Sequence, residues 1–171
     1  MPHPGAAGGL LAAPEAASLV QEERSMRAIQ TILAAVDFSS HSEVVLDAAV
    51  TLAKRFGAKI RLLHAYDIPI PLVSPYEVAI PEPYLEETRR IAAEKLATLV
   101  DRVAAQGVAV ESILTEVPAA PAIVRAAEET KADLLVIGTH GHTGLKHLLL
   151  GSVAERTVRT APCSVFIAKG E

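Results

Sequence analysis

The sequence has one cysteine, no tryptophan and only three tyrosines and three phenylalanines. A lone cysteine excludes an intramolecular disulfide, and a thiolate metal cluster would need several chains. Because Cys163 follows Pro162 at the start of a predicted strand, we expect it to be a small buried apolar residue rather than a redox thiol. Functions that need an intramolecular disulfide or a cluster of several thiolate ligands within one chain are therefore excluded.

Long apolar runs and clusters of basic residues are also missing. No stretch of about eighteen apolar residues is present to span a membrane, and Pro14 and Glu15 interrupt the apolar core that a signal peptide would need. The formal net charge is −4, and no Lys/Arg cluster is long enough to follow a nucleic-acid backbone. We therefore expect a cytoplasmic protein with neither a membrane nor a nucleic acid as a partner.

Composition divides the 171 residues into two regions. Residues 1–26 are rich in Ala, Gly and Pro and contain no aromatic residue, which predicts a flexible N-terminal extension. Residues 27–171 alternate between β-branched apolar runs and segments with helical spacing of apolar residues, which predicts one α/β domain. The predicted strands are 29–36, 59–66, 109–115, 133–138 and 164–168, and the predicted helices are a segment after residue 40, 84–106, 121–130 and 153–160.

Local signals mark where some of these elements begin and end. Ser40 and Glu43 form a capping-box pattern at the start of the first helix, and Gly57 is expected to end that helix. Residues 67–83 contain five prolines, which predicts an irregular, extended excursion after the second strand. This excursion leaves the carboxyl edge of the predicted sheet, where it could be a lid, a partner surface or simply an exposed loop.

A glycine-rich segment follows the fourth predicted strand. Gly138, Gly141 and Gly151 are separated by two and nine residues, and Ser152 opens the last predicted helix. Glycine permits backbone angles that other residues resist and lets amide groups approach a ligand closely. A helix N-terminus offers unpaired N–H groups and a favourable dipole to an anion. The segment is therefore predicted to bind phosphate.

This pattern resembles the signature of the universal stress protein family: Gly, two residues, Gly, nine residues, Gly, then Ser or Thr. Gly138, Gly141, Gly151 and Ser152 match every fixed position, and the resemblance extends over about residues 27–169. His142 departs from it, because many members carry Arg or Lys there. The resemblance implies a three-layer α/β sandwich with a mainly parallel, five-stranded, Rossmann-like sheet in the order 3-2-1-4-5. It also implies an ATP-binding protein of the stress response and a homodimer paired through strand five.

Asp37 ends the first predicted strand and is the main candidate side chain for nucleoside recognition. An ionised carboxylate accepts hydrogen bonds from ribose hydroxyls or an adenine amino group, and its short side chain also suits a cap at the helix entry. In ATP-binding members of the family this position contacts the nucleoside. By the same resemblance, backbone around Ala35 and Val36 borders the base, and backbone near Ala65 reads the adenine edge.

The resemblance places the β- and γ-phosphates and their Mg²⁺ around Gly141, Gly151 and Ser152, with Gly138 near the ribose or α-phosphate. Ser152 is a possible Mg²⁺ contact, because a hydroxyl can coordinate this ion, and Lys146 is a weaker candidate for a phosphate counter-charge. The complete set of predicted ATP-binding residues is Ala35, Val36, Asp37, Ala65, Ile137, Gly138, Gly141, His142, Gly151, Ser152 and Val153.

Two other functions remain open: an enzyme that hydrolyses ATP or transfers an adenylyl group, and an interaction protein that works without nucleotide. Asp37 is the only strong acidic candidate for a general base near the predicted site, and nucleoside binding already accounts for it. His140, His142 and His147 lack the helical spacing or Cys/Glu neighbours of a zinc site. His64, on a predicted buried strand, is expected to be a hydrogen-bonded core residue. A nucleotide-dependent regulatory or protective module is the favoured interpretation.

Overall fold

The computed structural model describes residues 28–66, 80–139 and 150–170. The predicted extension of residues 1–26 and most of the proline-rich excursion therefore lie outside the described residues. Gly141, His142, Lys146 and the other two histidines of the glycine-rich segment also lie outside them.

Strands and helices alternate along the described chain. The strands are β1 (Thr31–Ala35), β2 (Lys59–Ala65), β3 (Val110–Thr115), β4 (Leu134–Gly138) and β5 (Ser164–Ala168), and the helices are α1 (His41–Phe56), α2 (Glu82–Ala104), α3 (Ala119–Thr130) and α4 (Ser152–Thr160). All strand pairs are parallel and the sheet order is β3-β2-β1-β4-β5. The α/β fold and its strand order are therefore confirmed.

Two helices cover each face of the sheet. One core cluster joins the sheet to the buried sides of α1 and α2, and the second joins the other face to α3 and α4. Apolar residues fill both faces because the strands of a parallel sheet are buried on both sides. The three-layer sandwich places the carboxyl ends of the strands at one edge. The largest fully buried side chains are Ile32, Leu33, Ile60, Leu62, Leu63, Leu96, Leu135, Val103, Val136 and Thr157.

The start of α1 differs from the predicted capping box. Ser40 has helical backbone angles and makes no side-chain cap hydrogen bond. Glu43 instead pairs with Arg102 of α2 through two hydrogen bonds of 2.9 and 2.6 Å, and this pairing lowers the pKa of the Glu43 carboxyl. The helix end was predicted correctly, because Gly57 has a φ of 67° and terminates α1 in the left-handed conformation.

Cys163 is partly buried beside the core cluster of α3 and α4, rather than fully buried as expected. Burial, and to a smaller degree the charge of Asp133, raises the pKa of its thiol. A raised pKa keeps the sulfur neutral at neutral pH, which disfavours nucleophilic chemistry. In the part of the chain that the structure describes, no helix is long and apolar enough to cross a membrane.

Thr157 on α4 yields a stability prediction. Its side chain has no exposed surface, and among the described residues its Oγ1 has no hydrogen-bond partner. Because an unsatisfied buried hydroxyl costs about 1–3 kcal/mol, Thr157→Val should raise the free energy of unfolding by about 1 kcal/mol. Chemical denaturation would measure the change. Thr160→Val is the matched control on the same helix, since the exposed Thr160 hydroxyl donates to the Arg156 carbonyl at 3.0 Å; an equal gain in both variants would contradict this explanation.

Candidate functional site: a cleft between the first and fourth strands

The site lies where two neighbouring strands separate. The pairing of β1 with β4 ends at Ala34 and Val136. Beyond that point β1 stays paired with β2 as far as Ala35, and β4 stays paired with β5 as far as Gly138. Strand order also reverses between β1 and β4, which is where ligands bind in open α/β sheets. A cleft therefore opens at the carboxyl edge of the sheet.

This cleft has a cavity volume of about 200 Å³ and is open to solvent. Two of the predicted ATP-binding residues, Gly141 and His142, lie outside the described residues. The cleft brings together all the other predicted ATP-binding residues: Ala35, Val36, Asp37, Ala65, Ile137, Gly138, Gly151, Ser152 and Val153.

Asp37 organises the turn that leads from β1 into α1. Its Oδ1 accepts hydrogen bonds from the Ser39 amide at 3.0 Å, the Ser39 hydroxyl at 2.6 Å and the Ser42 hydroxyl at 2.9 Å. The Asp37 amide in turn donates to the Ser42 hydroxyl at 3.1 Å. Oδ1 thus stabilises the helix entry, one of the two roles considered for this residue, and the same residue lines the cleft.

Phe38, the next residue, has a φ of 64°, which is uncommon for a bulky side chain. Its ring lies 3.9 Å, centroid to centroid, from the imidazole of His64. His64 is buried on β2, and its Nδ1 lies 2.9 Å from the Val36 carbonyl oxygen. The prediction of a hydrogen-bonded core histidine is confirmed. Strained backbone of this kind is common at ligand sites.

Three helices begin at the cleft. His41 is the first residue of α1, Ala119 of α3 and Ser152 of α4, and all three line the cavity. None of these helices has a side-chain cap hydrogen bond at its N-terminus. Their first amides and dipoles therefore favour an anion beside these helix starts, where the described lining contains no Lys or Arg. Such an arrangement suits an anionic ligand.

The backbone at Gly138 and Gly151 differs from the expectation in one respect. Gly151 has φ and ψ of −71° and 160°, which any residue can adopt, and the positive-φ glycines of the described chain are Gly57 and Gly107. A special backbone conformation is therefore not the reason for glycine at Gly138 or Gly151. The remaining reason for glycine at these two positions is that it has no side chain, which leaves room for a ligand in the cleft. The Gly151 amide donates to the Thr139 carbonyl at 2.7 Å, which fixes the two ends of the intervening segment together.

Sequence reasoning missed several residues that line the cleft. Ser42 was overlooked because Ser40 has the spacing of a capping box with Glu43, whereas the hydroxyl that meets Asp37 is that of Ser42. Ala119 could not be recognised from its residue type, because it contributes to the cleft only as the first residue of a helix. The additional lining residues are His41, Ser42, Val45, Leu63, Ala119, Ile123, Thr139 and Ala154.

No group of three or more His, Cys, Asp or Glu side chains suited to a metal ion occurs within the described ranges. Asp37 and Ser152 nevertheless contribute oxygen-bearing side chains to the cleft. Mg²⁺ is commonly held by one or two protein oxygens together with substrate phosphates and waters. The cleft therefore fits a metal that arrives with a phosphorylated ligand better than a permanently bound metal.

Comparison with known proteins finds relatives that cover most of this chain. A curated relative, universal stress protein MJ0531 of Methanocaldococcus jannaschii, is 35% identical over 135 residues, which cover 75% of this chain and 76% of the relative. A universal stress protein solved in complex with cAMP is 29% identical, with a TM-score of 0.61, and the match covers 83% of this chain and 98% of that one.

A third match is the universal stress protein of Archaeoglobus fulgidus in complex with dAMP, which shares the fold at 23% identity and a TM-score of 0.58, over 81% of this chain and 96% of that one. The model of the universal stress protein family matches residues 28–169. The chain therefore belongs to the universal stress protein family.

Proposed function

We propose that this protein binds ATP with Mg²⁺ in the cleft between β1 and β4 and acts as a nucleotide-dependent regulatory or protective module in the stress response. The observation that carries the proposal is the convergence of three helix N-termini on a cleft that is bordered by the carboxyl ends of β1 and β2. The strand ends suit a base, and the helix ends suit phosphates.

The base and ribose would occupy the side of the cleft nearest β1 and β2. Leu63 and Ile123 provide apolar surface there, and Ala65 offers backbone groups. Asp37 can accept a hydrogen bond from a ribose hydroxyl or the adenine amino group, because a carboxylate oxygen accepts strongly. An adenine ring needs both flat apolar contact and edge hydrogen bonds, and this region supplies both.

The phosphates would lie against the start of α4. The amides of Ser152 and Val153 are at the helix N-terminus, and the Ser152 hydroxyl adds a group that can donate to phosphate or coordinate Mg²⁺. Bound Mg²⁺ would neutralise phosphate charge. The fixed pair formed by Thr139 and Gly151 keeps the helix start next to the end of β4.

The related structures with cAMP and dAMP support an adenine nucleotide as the ligand class. Both of those ligands carry a single phosphate, and the cleft of this chain has three helix starts along its wall. Several positive helix ends can stabilise more than one phosphate. ATP is therefore the proposed ligand, and a cyclic or monophosphate adenine nucleotide is the alternative within the same class.

We predict that ATP with Mg²⁺ binds more tightly than GTP, because backbone groups at fixed strand ends distinguish the amino group of adenine from the carbonyl of guanine. Isothermal titration calorimetry with ATP, GTP, AMP and cAMP would measure the four affinities. Equal affinity for GTP would contradict adenine recognition. Absence of binding at millimolar ATP would favour a nucleotide-independent interaction protein.

Asp37 gives a prediction with a matched pair of variants. Asp37→Asn keeps an oxygen for the bonds from Ser39 and Ser42 but removes the negative charge, whereas Asp37→Ala also removes the turn contacts. We expect Asp37→Asn to weaken ATP binding about tenfold or more with little change in stability, since a hydrogen bond to a charged group contributes about 1.5–3 kcal/mol. Calorimetry and thermal denaturation would separate the two effects. If Asp37→Asn binds as the wild type does, the carboxylate makes no ligand contact.

We also propose a homodimer paired through β5. This strand is at the end of the sheet, and Phe166 on it is 42% exposed. An unpaired, apolar edge strand readily pairs with another chain. Association through β5 would cover this edge, and sedimentation equilibrium would measure it.

ATP turnover separates the proposed module from an enzyme. The ionisable side chains among the described lining residues are Asp37 and His41, and Asp37 already holds the turn. We therefore predict hydrolysis below about one per second, under the range typical of enzymes. A steady-state phosphate-release assay would measure it. A faster rate that is lost in Asp37→Asn or in His41→Ala would instead identify an enzyme.

A further inference from the structure

The ladder between β1 and β2 ends in an unusual way. The Val36 amide continues it by donating to the Leu63 carbonyl at 2.9 Å. The next bond of a parallel ladder would join the Ala65 amide to the Val36 carbonyl, yet the register stops at Ala35 and Leu63 and this bond is not formed. The Val36 carbonyl is bound instead by Nδ1 of His64, at 2.9 Å.

The Ala65 amide is consequently released toward the cleft. Successive amides of a strand point to opposite neighbours, and the Tyr66 amide donates to the Thr115 carbonyl of β3 at 3.0 Å. The Ala65 amide therefore faces β1, on the side where β1 has turned away. Ala65 lines the cleft and is only partly buried. An amide in that position can donate to a ligand.

The contact with the Val36 carbonyl determines the role of one ring nitrogen of His64. A carbonyl oxygen can only accept, so Nδ1 must carry the hydrogen. The ring also packs against Phe38 at 3.9 Å, and Phe38 has the strained φ of 64°. His64 thus contacts the residues on both sides of Asp37: the carbonyl of Val36 and the ring of Phe38.

We propose that His64 is a positioning residue for the nucleotide site. Its Nδ1 donates to the Val36 carbonyl, which would otherwise accept from the Ala65 amide. The Ala65 amide therefore stays available to donate to the base. The contact of His64 with Phe38 holds the Asp37 turn in place at the same time. The effect of His64 on nucleotide binding rests on the proposed function. Its effect on the pairing of β1 with β2 does not depend on any ligand.

The matched variants are His64→Asn and His64→Leu. Both replace the ring by a side chain with two atoms beyond Cγ, so both lose the contact with Phe38 equally. Asn retains an N–H at the position of Nδ1, whereas Leu has no donor. In His64→Leu the Val36 carbonyl is left without its side-chain donor, and burial of an unpaired carbonyl is costly. Re-pairing with the Ala65 amide would satisfy that carbonyl.

Amide hydrogen exchange by NMR tests the pairing without nucleotide. In the wild type and in His64→Asn, the Ala65 amide should exchange at least tenfold faster than that of Tyr66. In His64→Leu the difference should disappear, because Ala65 pairs with Val36. The imidazole ¹⁵N shifts of the wild type should also show hydrogen on Nδ1. Equal protection of Ala65 and Tyr66 in the wild type, or no change in His64→Leu, would overturn the proposal.

ATP affinity is the second readout. His64→Asn should bind ATP about tenfold more tightly than His64→Leu, and circular dichroism should show that both are folded. Equal affinity of the two variants would overturn the role of the donor in binding. If the wild type binds no ATP, the proposed function fails, while the exchange measurement still decides whether His64 controls the strand end.

Discussion

The separation of β1 from β4 is the constraint on which the site depends. At their amino ends the strands are tied together, because Oδ2 of Asp133 accepts from the amides of Gln30 and Thr31 at 2.9 and 3.0 Å and the Asp133 amide donates to the Thr31 carbonyl at 2.9 Å. At their carboxyl ends each strand follows its outer neighbour instead. Because β1 and β4 are joined at their amino ends and separate at their carboxyl ends, the sheet is continuous at one edge and opens into a cleft at the other.

The turn after β1 borders this opening. The backbone strain at Phe38 in this turn is offset by contacts that the turn itself makes. A left-handed Phe38 costs on the order of 1–3 kcal/mol. Three hydrogen bonds to Oδ1 of Asp37 and the packing of Phe38 on His64 offset that cost. Lys95 of α2, whose Nζ is 5.7 Å from the centre of the Phe38 ring, adds a cation–π contact. The turn is therefore specified by side chains from α1, α2 and β2 together.

Features of the fold and the site that depend on residues close together in the sequence could be predicted, and features that depend on the path of the chain could not. The bounds of β5 and the end of α1 at Gly57 were predicted correctly, because apolar period and a left-handed glycine act within a few residues. The link from Asp37 to Ser42 could not be predicted, since Ser40 is an equally good cap until the path of the chain is known. The backbone of Gly151 was expected to need glycine and does not, because a spacing motif does not reveal φ.

In the proposed nucleotide site, the described lining would stabilise a bound anion mainly through backbone dipoles. Within the part of the chain that the structure describes, no Lys or Arg lines the cavity, so an anion there meets mainly the backbone dipoles of α1, α3 and α4. Such dipoles are fixed and stabilise charge already present on a ligand. Rapid phosphoryl transfer instead needs groups directed at charge that develops in the transition state, together with a residue that positions the attacking water. Oδ1 of Asp37 already accepts three hydrogen bonds in the turn after β1, and the proposed function gives the carboxylate a second role as an acceptor for the nucleoside. Neither of these two roles directs Asp37 at an attacking water.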